Sequence, residues 1–69
     1  MKTKFKVGNP VRILGNSLHR GATGRIEECE QYGDFNVYIV KFDTPQYDEV
    51  WAENFETSRY FESQLKRLA

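Results

Sequence analysis

The chain has one cysteine, one histidine, no long apolar run and no acidic residue before position 27. Each scarcity removes a class of explanation. A single thiol, Cys29, closes no internal disulfide and cannot by itself hold a zinc ion or an iron–sulfur cluster, so a reducing, intracellular setting is expected. Flanked by Glu28 and Glu30, it should have a raised pKa and blunted reactivity, and it reads as structural. His19 stands in a polar stretch with no paired nucleophile, builds no catalytic triad and reads as an exposed loop residue. No apolar run follows the basic residues 1–6, so neither a secretory signal nor a membrane-spanning helix is expected. Calcium-loop and phosphate-loop patterns are missing as well. Without a nucleophile–base pair or a metal set, no enzyme activity is expected and no cofactor is assigned to this chain.

At 69 residues the sequence has room for one domain, residues 1–69, with residues 1–6 expected as a mobile arm. A chain of this size buries roughly 60% of its unfolded surface, which leaves a thin core and little space for an enclosed cleft.

What the sequence does have is charge sorted by position. Residues 1–26 carry Lys2, Lys4, Lys6, Arg12, Arg20 and Arg25, a charge of +6. Residues 27–62 carry all ten carboxylates against Lys41 and Arg59, a charge of −8. Lys66 and Arg67 then close the chain at +2. The total is zero, but a fold that juxtaposes the two ends acquires a basic face and an acidic one, and such a dipole orients a charged partner.

Apolar and polar residues alternate with the period of a half-buried strand at Val11, Arg12 and Ile13, and Pro10 suits the first position of that strand. Residues 15–21 read as a loop. A second strand is expected over residues 23–30 with Gly24 and Ile26 inward. A turn at residues 32–35 follows, with Gly33 supplying any positive φ. Residues 37–42 form the strongest strand, with Tyr38, Val40 and Phe42 on one face and Val37, Ile39 and Lys41 on the other. A type I turn is expected at residues 43–46 and a fourth strand at 49–54. Residues 57–64 read as one helical or 3₁₀ turn with Ser58 as a candidate cap, before a last strand at 65–68. Five short strands with regular turns indicate an all-β fold, a small five-stranded SH3-like barrel with a short 3₁₀ or helical turn before the last strand. Phe55 and Phe61 are expected to seal its ends.

The segments V-R-I-L at 11–14, G-A-T-G-R-I at 21–26, Y-I-V-K-F-D at 38–43 and N-F at 54–55 resemble a specific group of SH3-like barrels. The chain resembles PsaE, a small peripheral protein of photosystem I. In length and in its aromatic end it is closer to NdhS, a component of the photosynthetic NAD(P)H dehydrogenase-like (NDH) complex of cyanobacteria and chloroplasts. The likeness spans residues 7–68. The approach to the last strand, residues 56–63, is longer than in PsaE, and a cyanobacterial member of the NdhS group is the expected match.

The resemblance implies a peripheral, non-catalytic subunit on the cytoplasmic or stromal face of the thylakoid membrane. It would dock reduced ferredoxin, whose electrons pass on to plastoquinone. In such barrels the first and last strands are neighbours, which brings the cationic ends together. Arg12, Lys66 and Arg67 are the expected ferredoxin contacts, held on strands. Arg20 and Arg25 are expected near the same side, and Lys2, Lys4 and Lys6 as a diffuse field. Trp51 and Tyr60 are expected to face other subunits of the membrane complex, and the isolated domain is expected as a monomer. The alternatives are a PsaE-like ferredoxin-docking protein of photosystem I and a KOW-type RNA- or ribosome-binding module, but the strand-one loop of the latter would hold only His19 and Arg20 on a neutral chain, so no nucleic-acid partner is assigned.

Overall fold

The computed structural model describes residues 4–15, 17 and 19–68. Five strands, β1 (Pro10–Ile13), β2 (Thr23–Tyr32), β3 (Phe35–Asp48), β4 (Glu53–Phe61) and β5 (Leu65–Arg67), make one antiparallel sheet in the order β4-β3-β2-β1-β5. A 3₁₀ turn, η1 (Glu62–Gln64), stands between β4 and β5. The all-β class, the five strands and the 3₁₀ turn before the last strand are as expected. The sheet is not closed: among the described residues its ends are β4 and β5, with no ladder between them.

One face of the sheet is the core, formed by Phe5, Val11, Ile13, Ile26, Tyr38, Val40, Phe42, Tyr60 and Leu65. The alternation expected for β1, the start of β2 and the centre of β3 is the one observed, because residues two apart share a side of the pleat. Gly24 sits where β2 crosses closest to β3. A Cβ there would overlap the Lys41 carbonyl and lie 2.9 Å from Val40 Cγ1. No other residue fits that crossing.

Two irregularities reset the faces. Ile26 pairs with Val40 but Glu28 pairs with Ile39, so Glu27 is the extra residue of a bulge. Before it the even-numbered residues of β2 point inward; after it the odd ones do, and Cys29 comes opposite buried Tyr38. The second irregularity lies on β3 between Lys41 and Gln46. It corrects the turn expected at residues 43–46, where the chain bends but continues as strand. Asp43 Oδ2 there accepts a hydrogen bond from Thr23 Oγ1 at 2.9 Å, which ties the bend to β2.

The chain reverses at residues 49–52 instead. Asp48 Oδ1 accepts from the Val50 and Trp51 amides at 2.8 and 3.2 Å, and Ala52 adopts φ 53°. The fourth strand therefore begins at Glu53 rather than at residue 49. Residues 57–61 are strand paired with β3, and only Glu62–Gln64 is 3₁₀. Ser58 caps nothing there: Gln64 Oε1, reaching back to the Phe61 amide at 2.9 Å, organises that turn.

The arm expected over residues 1–6 is revised at residues 4–6. Phe5 is 1% exposed and packs edge-on against Tyr38, ring centroids 5.2 Å apart. Tyr38 Oη accepts hydrogen bonds from the Lys4 and Phe5 amides, and the Lys6 amide donates to Asn9 Oδ1. Residues 1–3, with Lys2, lie outside the described residues.

Candidate functional site

Strand pairing decides which cations meet. Arg12 at the centre of β1 stands directly opposite Lys66 on β5 and Thr23 on β2. One row along, Arg25 on β2 stands opposite Pro10 on β1 and Lys41 on β3. Residues paired in this way project on the same side. Arg12, Lys66, Arg25 and Lys41 are all exposed and all alternate with core residues, so they share the outer face of the sheet. Arg25 Nη1 donates to the Gly8 carbonyl at 3.1 Å, which fixes its guanidinium beside Lys41 over a shallow cleft that also includes Val7.

Two of the expected contacts separate from this group. Arg67 pairs with Val11, a core residue, so the pleat turns it to the opposite side from Lys66. Lys4 lies off this face, where its amide donates to Glu62 Oε1 and its ammonium sits 5.5 Å above the Phe5 ring. Lys6 is exposed in the turn before β1, and Arg20 is exposed in the loop between β1 and β2. Lys41 was missing from the expected set. Its alternation against Val40 and Phe42 was the available signal, but it stands in the acid-rich part of the chain.

The acids lie on both sides of this group: Asp43 is bonded to Thr23, opposite Arg12, Asp48 and Glu53 pair at the β3–β4 reversal, and Glu28 and Glu30 stand on β2 beyond the bulge. Along β2 the charge changes sign at the bulge: Arg25 precedes it and Glu28 and Glu30 follow on the outer side. Glu30 Oε1 accepts from Arg59 Nε at 3.0 Å. Along β2, therefore, positive charge gives way to negative, and the core occupies the reverse face.

The aromatic assignments divide. Trp51, at the β3–β4 reversal, is 70% exposed. Tyr60 is 3% exposed and packs in the core against Phe42, whereas its neighbour Phe61 is 51% exposed on the outer face. The expectation that Tyr60 faces a partner, and that Phe61 seals the fold, is thus reversed by the β3–β4 register. His19 is also corrected. It is half-buried with φ 64° and meets the Phe42 ring edge-on at 5.4 Å.

Tyr38, Glu62 and Cys29 hold shifted acidities. Burial, with a hydrogen bond to Glu62, pushes the Tyr38 phenol up to about 12. The same bond, with the Lys4 amide, holds the Glu62 carboxyl below its usual range. Burial first, then Glu62 and Glu30, pushes the Cys29 thiol up.

Among the described residues no helix is long and apolar enough to cross a membrane, and no group of three or more His, Cys, Asp or Glu is placed to hold a metal ion. Comparison of the chain with known protein families, with curated proteins and with solved structures finds no match.

Proposed function

We propose that this chain is a non-catalytic docking subunit that offers a basic surface to an acidic redox protein, reduced ferredoxin, at the cytoplasmic or stromal face of the thylakoid membrane. The host in this reading is the photosynthetic NDH complex, which passes ferredoxin's electrons to plastoquinone. One observation carries the reading: Arg12 faces Lys66 and Arg25 faces Lys41 in adjoining rows of one sheet face. Strands hold these charges in fixed register, and the two arginines offer planar two-point contact to carboxylates. The sequence segments that resemble NdhS supply the partner's identity. The placement of β1 between β2 and β5, and the 3₁₀ turn before β5, favour an SH3-like barrel as the finer description of the fold.

Such a surface does its work before any electron moves. Complementary charge raises the rate of encounter and orients the donor, and salt screens both effects. An interface below about 1,200 Å² suits a transient redox encounter. The clusters that receive the electron belong to another subunit, and Trp51 is the residue in this reading that meets the rest of the complex.

A titration of the isolated domain with reduced and oxidised plant-type ferredoxin, at low and high ionic strength, tests the proposal. Saturable binding that weakens steeply with salt is expected. Absence of binding at low salt overturns it, and co-purification with photosystem I instead of the NDH complex would change the host.

A further inference from the structure

Beyond the β2 bulge the outer face carries a second surface of different chemistry. Tyr32, Phe35 and Phe61 are each more than half exposed there, around half-buried Val37. Register brings them together: Tyr32 pairs with Phe35, and Val37 pairs with Phe61. The Phe35 and Phe61 rings lie 6.1 Å apart. Phe61 forms one wall of two clefts, of about 380 and 370 Å³. A contiguous set of exposed rings on a monomer marks a contact surface.

The edge of the sheet leading up to these rings is open, although at Phe61 itself the amide is bonded to Gln64 Oε1. β4 bonds to β3 on one side, and among the described residues no strand covers its other side. Its nine residues include no proline or lysine, the usual guards of an edge strand. A strand added to that edge would place every second side chain beside Arg59 and Phe61 on the outer face.

Charge selects the occupant. β4 presents exposed Glu53 and Glu56 against Arg59, and Arg59 is already paired with Glu30. We infer that the β4 edge and the Phe35–Phe61 aromatic pair bind an extended segment of another polypeptide in which basic and apolar residues alternate. Apolar side chains of that segment cover the rings, and its cations meet the glutamates. A second copy of this chain is a poor occupant, since its basic edge strand, β5, has three residues against nine in β4.

The test uses the isotopically labelled chain and two synthetic peptides as long as β4, one alternating lysine with valine and the other glutamate with valine. The lysine peptide is expected to shift and protect the amides of Glu53–Phe61, to bind more weakly as salt rises, and to lose at least about tenfold in affinity to F61S. A double variant, Glu53→Lys with Glu56→Lys, should reverse the preference between the peptides. Equal binding of both peptides by the unmodified chain, shifts centred on β5, or binding of neither overturns the inference. So does concentration-dependent self-association of the chain through β4 in sedimentation.

Discussion

Tyr38 Oη donates to Glu62 Oε1 at 2.6 Å, and this bond joins the centre of β3 to the 3₁₀ turn before the last strand. The same carboxylate oxygen accepts from the Lys4 amide at 3.0 Å and from Asn36 Nδ2 at 3.3 Å. Three segments remote in sequence thus meet on one acid. Phe5 is held in the core because the backbone around it is tied to this pair.

Removing the phenol should loosen all three segments. Y38F leaves the Phe5 amide without its oxygen, takes one of two acceptors from the Lys4 amide, and is expected to destabilise the fold by about 1–3 kcal/mol. Amide exchange at Lys4 and Phe5 should rise more than at β1. Chemical denaturation together with hydrogen exchange measures both effects.

The pH dependence follows from the two shifts. Glu62 is held below its ordinary value, so its contribution is present above that value and is lost as pH falls through the lowered one. Tyr38 is raised from 10.0 to about 12, so the unfolded chain gives up this proton first. Stability therefore falls as pH rises across that interval. In Y38F both limbs should flatten, which melting curves from acid to alkaline pH would reveal.

Gly24 predicts a local failure of the sheet. G24A places a methyl group against the Lys41 carbonyl and Val40. Backbone cannot yield there as a side-chain tip does, and a loss of about 3 kcal/mol or more is expected. Thermal melting of G24A beside G33A separates the two kinds of glycine: Gly33 meets nothing within 4 Å and needs only its φ of 59°.

Tyr60 and Phe61 should behave as opposites despite being neighbours. Truncating Tyr60 to Ala empties part of the core, at a cost of about 3 kcal/mol or more. Phe61→Ser removes an exposed ring and should stay within about 0.5 kcal/mol of the parent. Denaturation midpoints of the two variants check the register of β4 directly.

How far the sequence was readable turns on which residues depend on local pattern alone. Val11 and Ile13, Gly24 and Ile26, and Tyr38, Val40 and Phe42 alternate without interruption, and their faces were legible. Faces beyond an irregularity were not. Glu27 looks like one acid among several, yet as a bulge it moves the inward parity of β2 by one residue. The bend between Lys41 and Gln46 has the composition of a chain-reversing turn, since Asp43 and Pro45 suit either role. Asp48 decides the matter by accepting the amides of the true reversal. Tyr60 and Phe61 then follow from pairing with β3, where a slip of one residue exchanges core and surface. For the basic surface, the meeting of the two chain ends was readable, and it holds for Arg12 and Lys66. Arg67 is turned to the other side by the pleat, and Lys41, legible as outward-facing on the third strand, joins the row only through the pairing of β2 with β3.

Docking on the Arg12–Lys66 row is checked most sharply by the affinity of reduced ferredoxin for the parent chain and for R12E/K66E, at low and high salt. A loss of at least about tenfold is expected at low salt, shrinking as salt rises, with the fold unchanged by circular dichroism. K4E, beside Phe5 and off this face, should cost far less. Equal affinity of the parent and R12E/K66E at low salt would contradict docking on this face.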